Sequence, residues 1–355
     1  MIFDGPYSNR YPSQRTQSTM NPKLLAVTLT SLFAGTALAD ELKPVMDRKT
    51  NVAVYELSAG NTVAKFCPGQ GANLFSIEID GTELLWLPKS LSEIGGVSCG
   101  VPILYPTPNR VRDAEFTYAG RKVTFEANAG KNFIHGLVNR AKWEVVEATI
   151  ENNLSTIRCT CTFKDGALAE KFPFPHDVSL TITVRPGVIR WEYEVDNSAG
   201  QESVPFGFAL HPYFRYVGQR KQTYLTVPAT HLMESVDKLP SGELLPVKPP
   251  IGKPMSLEGT KYDDVFYGMT PETPARIDYR DVGFQIDIHA SKEFTHLVVW
   301  TPQRPFFGVE SQTCSTDAHN LYASGNEKAA HLQICRPGEK LTGWVEYTVT
   351  GASSR

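Results

Sequence analysis

The stretch "GFALHPYF", Gly207 to Phe214, sets one histidine, His211, in an apolar and aromatic run with a proline directly behind it. A neutral imidazole is tolerated in a core when both ring nitrogens find partners. The same group, whose unperturbed pKa lies near neutrality, can instead give or take a proton in a pocket. Among the carboxylates, Glu310 follows the apolar "RPFFGV" and precedes Gln312 by two positions. A glutamate ending an apolar strand lies near a core and needs partners, whereas a surface glutamate is simply solvated or salt-bridged. Asp263 and Asp264 are adjacent, and in extended backbone their side chains point to opposite faces, so they do not share a role. Gly136, after His135, permits either a close backbone approach or a positive φ, or marks a plain turn.

Other chemistries lack their residues. The chain has no GxxxxGK[ST], no GxGxxG between a strand and a helix, no HExxH and no GxSxG. Its eight histidines are scattered without ligand-like spacing, and no CxxC pair occurs among its six cysteines. Cys159 and Cys161 lie two apart in the strand-like "TIRCTCTF", so both face one side of a sheet and read as buried thiols. Six cysteines allow many disulfide pairings, and spacing does not choose among them. No metal and no cofactor is expected, which leaves proton transfer by protein side chains. Lys and Arg total 35 against 38 Asp and Glu, with no block of like charge, so nucleic acid is not an expected partner and a small molecule is.

The elements that must position these residues are strands. In "VSLTITV", Val178, Leu180, Ile182 and Val184 alternate with hydroxyl residues; in "VIRWEYEVDN", Ile189, Trp191, Tyr193 and Val195 alternate with polar ones; "RPG" between them predicts an antiparallel hairpin. "RKVTFEA", "KWEVVEATI" and "FQIDIHA" alternate in the same way, and no apolar 3.6-residue period persists for a dozen residues. Many strands, with 25 prolines and 27 glycines to turn them, predict an all-β chain folded as a large antiparallel sandwich. From Met20, Lys23 precedes an apolar run that ends in Ala37-Leu38-Ala39, the pattern of a signal peptide cleaved after Ala39. The expected layout is an upstream extension over 1–19, a signal peptide over 20–39, and a single domain over 40–355 in the periplasm or outside the cell. The apolar run is short for a membrane span.

Five motifs in order, "PTPNRVRD", "FIHGLVNRAKW", "GFALHPYF", "KYDDVFYG" and "FGVESQTCSTDAHN", resemble those of the aldose 1-epimerases, or galactose mutarotases. The resemblance implies a β-sandwich of the galactose mutarotase type with an open sugar cleft on one sheet. It also implies interconversion of the α and β anomers of a free aldohexose, galactose or glucose, with no cofactor. That reaction needs one acid and one base, expected on opposite sides of the ring, to open the hemiacetal and close it again. By resemblance His211 is the acid and Glu310 the base, while Arg110, His135, Asp263 and Gln312 bind the sugar. Asp264 is then read as a turn residue, Asp317 and Asn320 extend the match around Glu310, and Trp143, Tyr213 and Phe266 are read mainly as core. Three rivals stay open. A non-catalytic carbohydrate-binding sandwich need not keep both His211 and Glu310. A hexose-6-phosphate 1-epimerase would need cations for the phosphate, with Arg112, Lys131 and Arg140 available. A glycosidase or lyase would usually want two flanking carboxylates.

Overall fold

The computed structural model describes residues 39–351, so the extension over 1–19 and all but the last residue of the expected signal peptide lie outside the described residues. The hairpin predicted from alternation is present. Strand Asp177–Arg185 pairs with Val188–Asp196 from Asp177↔Asp196 to Arg185↔Val188, closed by a two-residue turn in which Gly187 has φ +71°. All eight alternating apolar side chains are buried. Full burial of such a side chain contributes roughly 1.5–3 kcal/mol, so the period-two pattern alone commits this segment to one face.

The hairpin lies near the middle of a ten-stranded antiparallel sheet. It is flanked by Leu154–Thr162 and Glu144–Glu151 on one side and by Lys340–Thr350, Phe284–Ala290 and Ala275–Tyr279 on the other. A second sheet runs in the order Leu239–Pro246, His231–Val236, Asp263–Tyr267, His296–Trp300, Phe306–Gln312, Ala209–Leu210, Ile103–Leu104; Phe214–Arg215 also pairs with Phe306–Gln312. A five-stranded sheet spans Val45–Met46 to Thr82–Glu83. The inner faces of the sheets share one apolar core that runs from Leu57 to Val349. Tyr193 stacks on Phe208 with ring centroids 4.6 Å apart, and Phe214 packs on Tyr347 at 5.5 Å. The architecture is the antiparallel sandwich expected from the strand pattern.

Among the described residues α-helix is confined to three short pieces of six, six and four residues, in keeping with the missing 3.6-residue period. No helix among the described residues is long and apolar enough to cross a membrane. Cys159 and Cys161 both point into the core, and all six cysteines are buried free thiols. Trp143 is core, as expected. Asp264 departs from its reading as a turn residue: it lies in strand Asp263–Tyr267, opposite Val299. Its expected orientation away from Asp263 holds, since the two carboxylates line different cavities.

Candidate active site

Strand register decides what gathers on the outer face of the second sheet. Cross-strand partners and residues two apart share a face. The ladder therefore places Asp263, Trp300 and Gly308 in one row, Val265, Val298 and Glu310 in the next, and Tyr267, His296 and Gln312 in a third. Phe307 and Val309, of opposite parity, enter the core. Helices Ala318–Ala323 and Glu327–Ala330 belong to a separate apolar cluster with Met233, and Val265 and Tyr267 pack against it. His296 Nε2 lies 3.0 Å from the Ala329 carbonyl, so these helices cover the Tyr267 end of the face.

His211 reaches this face from the link between strands Ala209–Leu210 and Phe214–Arg215. Ala209 pairs with Gln312 and Phe214 with Phe307, and the His211 N–H donates to the Pro102 carbonyl at 3.0 Å. The result is a contact of 3.3 Å between His211 Nε2 and Glu310 Oε1, two residues only 4% and 2% exposed. The imidazole stacks on Tyr213 with centroids 4.9 Å apart and meets Trp300 edge-on at 5.7 Å. Tyr213 is itself held by a hydrogen bond from its hydroxyl to the Val97 carbonyl at 2.9 Å. Tyr213 is therefore buried, as read, and also forms a wall of the site.

The other four expected site residues surround this pair. Gln312 Nε2 donates to Glu310 Oε2 at 3.1 Å. The His135 ring stands edge to face with His211, centroids 5.1 Å apart. His135 has φ +73° and Gly136 φ +70°, and a Cβ on Gly136 would stand 2.4 Å from the Tyr105 carbonyl oxygen. Both special uses of a glycine apply here, so this turn can hold no larger residue without moving His135. Arg110 Nη1 donates to Asn109 Oδ1 at 3.1 Å, and Asn109 accepts the His135 N–H at its carbonyl at 2.9 Å. Arg110 and Asp263 line one narrow cleft with Val298.

Burial sets the electrostatics. It is the largest influence on both members of the pair, pushing Glu310 up to about 8 and His211 down to about 4. The Gln312 hydrogen bond and the Arg110 charge pull Glu310 back, and the Asp263 charge raises it further. Burial, aided by the His211 and Arg110 charges, holds His135 well below the usual imidazole range. Both shifts disfavour the charged forms, and so favour an uncharged pair in which the shared titrating proton sits on Glu310 beside a neutral imidazole. Moving that proton from Glu310 to His211 makes an ion pair without changing the charge of the buried site. Unpartnered buried polar atoms cluster here too: Nδ1 of His211, Nδ1 of His135 and Oε1 of Gln312. Such atoms are costly to bury.

Asp317 and Asn320 serve structure. Asp317 accepts the Arg112 backbone N–H at 2.9 Å and its Nε at 3.1 Å, and Asn320 bridges Asp317 and the Glu115 carbonyl. Arg112 is therefore engaged, and Lys131 pairs with Asp113 at 2.7 Å. Arg140 lines a different cavity with His135. Among the described residues no group of three or more His, Cys, Asp or Glu could hold a metal ion. Sequence reasoning missed Asn109, Trp300 and Lys238. Trp300 shares the parity of Val298 and His296 in "HLVVW", a pattern that becomes informative only once the partner strand is known.

The sequence profile of the aldose 1-epimerase family matches residues 53–348. Similar solved structures include a galactose mutarotase-like protein from Clostridium acetobutylicum, at 17% identity over 88% of this chain and 99% of that one, with a TM-score of 0.77. A galactose 1-epimerase from Lactobacillus acidophilus NCFM shares 15% identity over 88% and 100% of the two chains, with a TM-score of 0.69. A GalM/aldose epimerase homologue from C. elegans shares 17% identity over 85% and 100%, also with a TM-score of 0.69. At these identities the likeness concerns the fold.

Proposed function

The chain belongs to the aldose 1-epimerase family, and we propose that it interconverts the α and β anomers of a free aldohexose, galactose or glucose, through His211 and Glu310. The observation that carries this reading is their buried contact of 3.3 Å on the outer face of the second sheet. The pair stands side by side rather than on opposite sides of a ring-wide space, and this suits the chemistry. The anomeric oxygen and the ring oxygen are bonded to the same carbon, so neighbouring groups can serve both.

The pair starts with its one proton on Glu310. A sugar hydroxyl that donates to Glu310 stabilises the carboxylate, and a ring oxygen that accepts from His211 stabilises the imidazolium, so the bound sugar draws the proton to His211. Glu310 then takes the proton of the anomeric hydroxyl, the electron pair left on that oxygen closes to a carbonyl, the bond from C1 to the ring oxygen breaks with its electrons going to the ring oxygen, and His211 protonates that oxygen. Rotation about C1–C2 and reclosure, with the proton transfers reversed, give the other anomer. Protons and electrons balance without a covalent intermediate. Arg110, His135, Asp263 and Gln312 bind the sugar around this centre. Arg112 and Lys131, two of the three cations available for a phosphate, are held by carboxylates, which favours a neutral sugar over a phosphorylated one.

Polarimetry of freshly dissolved α-D-glucose and α-D-galactose near pH 7 tests the reading. Wild type should accelerate the rotation change over buffer, and His211→Asn and Glu310→Gln should lose most of the acceleration. Near-full activity in His211→Asn would sink the assignment. We further propose a single catalytic domain beginning after residue 39, exported by a signal peptide over 20–39; the N-terminal residue of protein recovered from the periplasm or medium tests this, with Asp40 expected.

A further inference from the structure

The strands His231–Val236 and Leu239–Pro246 form a hairpin with Val236 opposite Leu239, closed by Asp237 and Lys238. Both turn residues have positive φ, +50° and +66°. This is the backbone of the tight turn that matches strand twist, and it usually takes Asn-Gly because other residues are disfavoured there. Here a lysine occupies its second position and extends its ammonium to Asp263 Oδ2 as an ion pair. Lys238 thus stands in the cleft that Arg110 and Asp263 line, beside the row that carries Glu310.

An ion pair of this exposure contributes little to stability, because the Lys238 and Asp263 side chains keep 54% and 34% of their exposure and water screens them. It is therefore cheap to exchange for other hydrogen bonds. Each sugar hydroxyl is at once a donor and an acceptor, so two adjacent hydroxyls can replace the direct contact, one donating to Asp263 and the other accepting from Lys238. We infer that Lys238 is a specificity-determining residue which, with Asp263, forms a clamp for two neighbouring hydroxyls of the aldose away from its anomeric carbon. The inference rests on the catalytic reading above for its substrate class, but the clamp acts in binding and is measurable apart from turnover. The clamp distinguishes sugars by the orientation of those hydroxyls, since only one relative orientation spans the ammonium and the carboxylate together.

The test compares full-length wild type, Lys238→Met and Lys238→Arg, measuring hexose dissociation constants by calorimetry and mutarotation by polarimetry. The sugars are D-glucose, D-galactose and their analogues deoxygenated at carbon 2, 3, 4 or 6. Lys238→Met should weaken binding of the preferred hexose roughly tenfold, as expected for losing one hydrogen bond to a charged group, and raise KM similarly with a smaller effect on kcat. Lys238→Arg should recover most of that affinity. At the clamped hydroxyl, deoxygenation should weaken wild type but leave Lys238→Met no weaker than it already is. Equal affinity of Lys238→Met and wild type for every sugar in an active enzyme overturns the clamp and keeps the catalytic reading. Loss in Lys238→Met that multiplies fully with every deoxygenation also overturns it. Hexose binding that depends on Lys238 in a protein without mutarotation keeps the clamp and refutes the catalytic reading; a wild type that neither binds nor turns over any of these sugars refutes both.

Discussion

Replacing Gln312 by Met removes the one side-chain hydrogen bond to Glu310 among the described residues, the 3.1 Å contact from Gln312 Nε2 to Oε2, in a side chain of similar size. Gln312 Oε1 has no partner, so its loss breaks no bond. A hydrogen bond to a charged acceptor contributes about 1.5–3 kcal/mol and one to a neutral acceptor about 0.5–1.5 kcal/mol. The carboxylate therefore loses roughly 1–1.5 kcal/mol more than the protonated acid, which is about one pKa unit. Two consequences follow for kcat/KM. The wild-type profile should plateau between an acid limb near 4, below which His211 takes up a second proton and no base remains, and a basic limb near 8, above which Glu310 gives up the only proton of the pair. In Gln312→Met the carboxyl keeps its proton longer, so the basic limb should rise by about one unit while the acid limb stays in place. Because Glu310 must release that proton to His211 before acting as base, the plateau should fall about tenfold. Polarimetric initial rates at low sugar concentration, across both limbs, measure all three quantities. A basic limb that stays fixed or moves down would refute the claim that Glu310 holds the proton and that Gln312 stabilises its ionised form.

Two further perturbations probe the scaffold. Gly136→Ala combines a positive φ with a Cβ 2.4 Å from the Tyr105 carbonyl oxygen, so thermal unfolding should show a loss of roughly 2–4 kcal/mol together with reduced kcat/KM as His135 shifts; an unchanged midpoint would contradict the close approach. All six thiols are buried, with burial pushing Cys67, Cys161 and Cys314 up to about 12. An aromatic disulfide reagent should therefore label none in the native protein at pH 8 and six in denaturant, and one fast-reacting native thiol would break that expectation.

What the sequence determined by itself is local. Alternation in "VSLTITV" and "VIRWEYEVDN" names the buried face of each strand because side-chain direction in extended backbone depends only on parity, and the intervening Pro-Gly specifies the turn. The candidate site residues were legible as types, through motifs, and Asp263 and Asp264 were separable by parity alone. Asp264 was misread as a turn residue because two adjacent carboxylates look like turn chemistry until the pairing with Val299 draws them into a strand. Only the tertiary structure put His211 against Glu310, since the register between Ala209 and Gln312 joins segments far apart in the chain. It alone brought Trp300 to the His211 ring and Lys238, from the tip of a hairpin, to Asp263. It also decided the charges. A composition of histidine and glutamate suggests a carboxylate and an imidazole that titrates near neutrality, but a free energy of ionisation depends on the surrounding dielectric. Burial of both side chains raises the Glu310 carboxyl and lowers the His211 imidazole, disfavouring the charged form of each.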